Sequence, residues 1–331
     1  MPVSLYMLMC LHDPQHGYYA TRPAFNSDFT TAPETSQVFG ELIGLWAAHE
    51  WLAMGKPAPF HLIELGPGRG VMMSDALRAG ASVPGFSDAA RVILVEASPA
   101  LRKEQSARLF QREIHHADDL DAVPPGPSII LANEFLDCMP IRQFVQANGV
   151  WRERRVGLDL SGNLAFGLGP PADLPDNLAP ASNEVEAAPG LEAFADAISR
   201  RLEAHPGRAL IIDYGSTDRS PADTLRAYRS GQQVSPLAEP GATDLTADVD
   251  FPRLIRLCRA QGLGVHGPTP QGDFLLRLGA LQRADTLSRA NPERAQETRA
   301  AVNKLVDPDQ MGARFKVLAI TSPGAETPPA F

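Results

Sequence analysis

The chain has 331 residues, 44% of them hydrophobic and 21% charged, enough for one large or two modest globular domains with a substantial core. Thirty lysines and arginines against 39 acids leave a net charge of −9, so no general pull toward phosphate backbones exists and nucleic acid is not an expected partner. No apolar run approaches the ~20 residues of a membrane helix, and no basic leader precedes an apolar stretch, so neither membrane insertion nor a secretory signal is expected. Cys10, Cys138 and Cys258 are far apart and odd in number. They fit neither a disulfide framework nor a zinc site, and point to a soluble protein of a reducing compartment.

In chain order, the first helix signal is Thr31-Ala32-Pro33-Glu34. Thr31 can cap, Glu34 can reach back, and proline is tolerated in a first turn. Val38, Leu42, Leu45 and Trp46 recur at helical spacing, which predicts a helix to about Met54, stopped by Gly55-Lys56-Pro57. Residues 1–55 thus read as an N-terminal helical or lid segment. Short apolar runs then alternate with helical stretches. Strands are predicted at His61–Leu65, Val92–Val95, weakly before Asp118, at Ser128–Leu131, Ala209–Ile212 and Phe315–Ile320. Helices are predicted around Met72–Arg78, Ala100–Gln111 and Leu191–Ala204. This alternation implies an α/β fold, a mostly parallel sheet with helices on both faces. The main domain is expected over 56–322. Antiparallel hairpins in Gln143–Leu168, turned by Asn148-Gly149 and Ser161-Gly162-Asn163, form an insertion at about 141–190. Its second part, Gly169–Gly190, carries five prolines and reads as an extended loop. The tail 323–331 reads as disordered.

The stretch Glu64-Leu65-Gly66-Pro67-Gly68-Arg69-Gly70 lies between a strand and a helix. Glycines there permit a tight turn and let a ligand approach the backbone. Val71 occupies a position that the dinucleotide fingerprint would fill with a small residue, and no Gly-Lys-Ser/Thr follows, so a phosphate cradle is disfavoured. Glu96, ending the second strand, is placed to accept two hydrogen bonds from a ribose diol, and Asp118 could meet an adenine amino group. These residues together suggest an adenosine ligand without phosphates, S-adenosylmethionine (SAM). Beyond the Ser128–Leu131 strand, Asn133-Glu134-Phe135-Leu136-Asp137 stands at the sheet edge where ligands bind in such folds. Glu134, helped by Asp137, is expected to hold a methyl acceptor, with Asn133 near the methyl donor. Asp28, counted with the catalytic residues, is expected with Phe29 and Thr30 in a lid over the cofactor. Asp213 and Tyr214 could line the acceptor cleft, and Glu186 could meet a basic peptide. His115-His116 reads as a solvated pair, and no metal is expected.

Several blocks together resemble the MidA-like family of SAM-dependent methyltransferases, bacterial relatives of the mitochondrial protein arginine methyltransferase that serves complex I assembly. They are His16-Gly17-Tyr18-Tyr19, Asp28–Glu34, Phe39-Gly40-Glu41, Glu64–Gly70, Ala132-Asn133-Glu134-Phe135, Ile212-Asp213-Tyr214-Gly215 and Asp244-Leu245-Thr246-Ala247. Gly267-Pro268, Gln271-Gly272, Met311-Gly312 and Phe315-Lys316-Val317 complete them. The resemblance runs from about Tyr6 to Ile320. It implies a class I SAM-methyltransferase (Rossmann-like) core, SAM as cofactor and symmetric dimethylation of a protein arginine, with a respiratory complex I subunit as the extrapolated target. Competing expectations are a methyltransferase for a small molecule or another side chain, and a non-catalytic SAM-binding assembly factor. Ser27 and Asp248 depart from the family's Gly and His, and the chain begins close to the first shared block. A bacterial cytoplasm is the expected location, with the mitochondrial matrix as the alternative.

Overall fold

Apolar runs long enough for a strand but too short for a helix line up side by side in the computed structural model, which describes residues 1–21, 31–175, 178, 182–217 and 222–331. Seven of them are β1 (Phe60–Leu65), β2 (Ala90–Val95), β3 (Ile114–Ala117), β4 (Ser128–Asn133), β5 (Gly207–Ser216), β6 (Gly264–Pro270) and β7 (Phe315–Thr321). Their order is β6-β7-β5-β4-β1-β2-β3. The five from β3 to β5 run parallel, whereas β7 is antiparallel to β5 and β6 to β7. Every residue of β4 is buried, as expected of a central strand covered on both faces.

Chain contacts divide the described residues into two compact units. One takes those of the segments 1–29, 136–195 and 215–257, and the other those of 30–135, 196–214 and 258–331. The second unit holds the parallel sheet up to Tyr214. Helix α1 (Gln37–Ala53) and helix α2 (Val71–Gly80) pack closely there because two residues of α1 lack side chains. A Cβ on Gly44 would sit 2.3 Å from the Ala76 carbonyl oxygen, and one on Gly40 2.6 Å from the Asp75 Cβ. Phe39, Trp46, Phe60, Leu62 and Phe86 fill the core beside them.

The first unit is built from the helix Val3–His12 and two antiparallel sheets. Arg142–Ala147, Val150–Leu158 and Leu164–Pro171 form the expected hairpins, but in a separate four-stranded sheet closed by Glu184–Ala187. The expected proline-rich loop is therefore strand at its two ends, over Gly169–Pro171 and Glu184–Ala187. A three-stranded sheet at Arg226–Arg229, Gln232–Val234 and Asp244–Thr246 carried no sequence signal. Val249 and Asp250 pair in parallel with Gly215 and Ser216.

Three further expectations are corrected. The N-terminal 55 residues do not form one segment, since Val3–His12 lies in the first unit and α1 in the second. Thr31 makes no side-chain cap: Ala32–Thr35 is a single turn, and α1 starts afresh at Ser36, whose hydroxyl accepts from the Val38 amide. The break falls at Ser36, whose backbone is extended (φ −157°, ψ 133°) between the two helical stretches. The tail is ordered at its end. The Phe331 ring packs against Phe274 with centroids 5.4 Å apart, and the Ala330 carbonyl accepts from Arg277 at 3.1 Å. Among the described residues, no helix is long and apolar enough to cross a membrane.

Candidate active site

At the carboxyl edge of β1 the backbone enters the left-handed region three times in five residues. Gly66, Gly68 and Gly70 have φ of 61°, 51° and 74°, where side chains carry a steric cost that glycine escapes. Gly66 is needed for space as well, because a Cβ there would lie 2.9 Å from the Phe135 ring. Glu64, on β1 just before this loop, is 3% exposed, and one of its carboxylate oxygens has no partner. Burial pushes its pKa up to about 8, opposed by the Met73 amide in the first turn of α2.

Glu96 directly follows β2. Its carboxylate accepts from the Ser98 amide at 2.8 Å and, more loosely, from Gln105 at 3.4 Å, and burial raises its pKa. Gln105 sits on helix α3 (Pro99–Arg108) and is fully buried. Its amide group donates to the Gly68 carbonyl at 2.7 Å, and its oxygen meets His116 Nε2 at 2.9 Å. It therefore ties the glycine loop to the ends of β2 and β3. The reading of His115-His116 as a solvated pair fails for His116, whose pKa is lowered by burial and by Arg102; His115 stays exposed. Arg102 donates to the Glu96 and Ala117 carbonyls at 2.6 and 3.2 Å and to Asp118 at 2.6 Å. Asp118 is exposed, at the end of β3. Neither Gln105 nor Arg102 was expected. The available signal for Gln105 was helical spacing, since Leu101 and Gln105, four residues apart, share the buried face of α3.

The second cluster stands where β4 and β5 end. Asn133 closes β4, buried, with its side-chain oxygen unpartnered and its amide donating to Glu134 at 3.1 Å. Glu134 has φ of 49°, a conformation that costs a non-glycine residue about 1–2 kcal/mol. Its amide donates to Ile212 at 2.9 Å and its carboxylate accepts from the Ala32 amide at 3.3 Å. Asp213 is fully buried and accepts from the amides of Phe135 at 3.2 Å and Tyr214 at 2.9 Å. Asp137 belongs to the first unit, where it accepts from the Thr246 hydroxyl at 2.9 Å. Asp28 lies outside the described residues. Glu186 does not await a peptide. It is 3% exposed and accepts from Gln143 at 2.7 Å and from the Thr224 amide and hydroxyl at 2.7 and 2.6 Å, which makes it a buried tie within the antiparallel unit. Among the described residues no group of three metal-ligating side chains is assembled.

A parallel sheet with its glycine loop after β1, acids at the strand ends and no lysine-bearing phosphate loop defines the nucleoside-binding α/β architecture of class I methyltransferases. Residues 42–269 match the profile of a family of S-adenosyl-L-methionine-dependent methyltransferases, and the chain belongs to that family. It is similar to the Drosophila melanogaster protein arginine methyltransferase NDUFAF7 homolog, mitochondrial, with 35% identity over 97% of this chain and 81% of that protein. Similarity to the Homo sapiens protein arginine methyltransferase NDUFAF7, mitochondrial, is also 35%, over 96% and 79%. A Burkholderia thailandensis structure with S-adenosyl-homocysteine bound superposes with a TM-score of 0.85 at 26% identity, covering all of this chain and 89% of that one. The protein is a SAM-dependent methyltransferase and SAM is its cofactor.

Proposed function

We propose that this methyltransferase modifies an arginine of a protein, with Glu134 as the residue that receives the guanidinium. The observation that carries the reading is Glu134 itself: a carboxylate held at the carboxyl end of β4 by a backbone conformation that costs energy. Such strain persists where the surroundings over-determine it and often marks functional sites. The names of its relatives support the acceptor class.

The residues around the glycine loop fit SAM on chemical grounds. Two buried oxygens without partners, on Glu64 and Asn133, ask for a cationic or N–H-bearing ligand. In the proposal Glu64 receives the amino group of the cofactor, Glu96 the ribose hydroxyls and Asp118 the adenine amine, while Asn133 lies near the methyl donor. Gly66, Gly68 and Gly70 let the ligand approach the main chain. When bound, SAM supplies a methyl group activated by a sulfonium. An arginine is charged at neutral pH, with a pKa above ~12, so it attacks only if aligned and relieved of a proton. The Glu134 carboxylate orients the forked N–H donors and accepts that proton. The proposal assigns the acceptor to Glu134; Asp137, in the other unit, accepts from Thr246.

Symmetric dimethylation, with a respiratory complex I subunit as the target during assembly, is the finer part of the proposal and rests on the family resemblance. It places the chain in a reducing compartment, a bacterial cytoplasm or a mitochondrial matrix, consistent with Cys10, Cys138 and Cys258 forming no disulfide among the described residues. Incubation with methyl-labelled SAM and a cell lysate, followed by mass spectrometry of the labelled band, tests the acceptor, and label on any residue but arginine refutes it. Glu134→Gln should lower turnover at least a hundredfold while leaving S-adenosyl-homocysteine affinity within about threefold. Unchanged turnover would remove Glu134 from its role.

A further inference from the structure

Arg314 immediately precedes β7, and because β7 runs antiparallel to β5 it stands at the sheet edge where β4 and β5 end. Phe315 is registered with Tyr214. The guanidinium lies over the Tyr214 ring, 5.0 Å from its centroid, and that ring meets Phe315 edge-on at 5.5 Å. Arg314 is exposed and has no acidic partner among the described residues. The Lys316 amine beside it is turned back to the Arg314 carbonyl at 3.1 Å. The nearest acid by register, Asp213, is buried and accepts from two backbone amides.

A planar cation stacked on a buried aromatic ring is oriented before any ligand arrives, so little side-chain freedom is lost when it pairs. Its five donors match a carboxylate in geometry. A pre-aimed arginine with no acidic partner among the described residues, on a chain of net charge −9, runs against the general field and marks a place where local negative charge is welcome. Position then sets the register. Strands β4 and β7 flank β5, and the register sets Arg314 two residues beyond Glu134 along the strand direction, so two strand spacings and two residues of rise separate them by about 12 Å. An extended peptide advances ~3.3 Å per residue.

We infer that Arg314 is a specificity residue that pairs with an acidic side chain of the acceptor protein, two to four residues from the arginine to be methylated. The inference rests on the arginine reading above and adds a sequence preference to it.

The test uses short peptides with one central arginine and an aspartate, serine or lysine placed in turn two, three or four residues to either side. With the full-length enzyme and labelled SAM, the best aspartate peptide should show a KM about fivefold below its serine counterpart, the upper range for a solvent-exposed ion pair. The advantage should fade as salt rises. Arg314→Ala should erase the difference through KM rather than kcat, Arg314→Glu should transfer the preference to the lysine peptide, and Arg314→Lys should keep part of it. Equal affinity for S-adenosyl-homocysteine across the variants confirms that each is folded. A wild-type enzyme indifferent to aspartate, or an Arg314→Glu enzyme that still favours it, overturns the inference while leaving arginine methylation standing. Label that reaches only residues other than arginine overturns both.

Discussion

Replacing Glu64 by glutamine should make the protein more stable at neutral pH, an unusual outcome for a residue at a ligand site. The carboxyl is buried, with one oxygen unpartnered and its pKa raised from 4.5 to about 8. A carboxyl that holds its proton more tightly when folded contributes fully below the unfolded value and loses that contribution as pH climbs toward the folded one. One unit of difference is worth 1.36 kcal/mol, so the wild type should lose roughly 3 kcal/mol between pH 5 and pH 8 that the glutamine variant keeps. Every other titrating group is common to both proteins and cancels in the difference. For a chain this long, 1 kcal/mol moves Tm by about 2 °C, so the gap between the two melting temperatures should widen by roughly 6 °C across that range. Thermal unfolding in a buffer series reads this directly. The same assay with S-adenosyl-homocysteine carries the functional half. If the amino group of the ligand sits on the free oxygen, wild-type affinity should rise more than tenfold from pH 5.5 to pH 8, while that of the variant stays flat. Melting curves that shift in parallel with pH would refute the reasoning about burial, and a ligand affinity equally flat in both proteins would remove Glu64 from the cofactor.

Two more substitutions probe the loop. Gly66→Ala places a methyl 2.9 Å from the Phe135 ring at a φ of 61°, so calorimetry should show at least a tenfold weaker hold on S-adenosyl-homocysteine and a destabilisation of about 1–2 kcal/mol; wild-type affinity would show that the loop can yield. Gln105→Leu conserves volume but releases the Gly68 carbonyl, Glu96 and His116. Ligand affinity should fall about tenfold for a stability loss of only 1–2 kcal/mol, and an unchanged dissociation constant would make Gln105 a structural residue alone.

The parts of this enzyme that could be read along the chain are those whose cause is local. Val92–Val95 is apolar throughout because it is covered on both faces, and Gly66, Gly68 and Gly70 announce a turn that other residues adopt only at a cost. Glu96 could be placed because a strand end is a position along the chain. The helix Phe251–Ala260 was legible too, because Phe251, Leu254, Ile255 and Cys258 recur at helical spacing, whereas the short strands around Arg226–Arg229 mix polar and apolar residues without a clean period and are stabilised by packing.

Strand–helix alternation, the glycine turn and the acids that follow each buried strand are written into successive residues, and so the cofactor class was legible before any coordinate. Long-range decisions belong to the folded chain. Only there does Gln105 reach from α3 to the Gly68 carbonyl, does Glu186 turn out to be a buried tie, and does Arg314 come to lie on Tyr214, a hundred residues earlier in the chain. Periodicity reports which face of an element is covered, and it carries no information about which distant side chain does the covering.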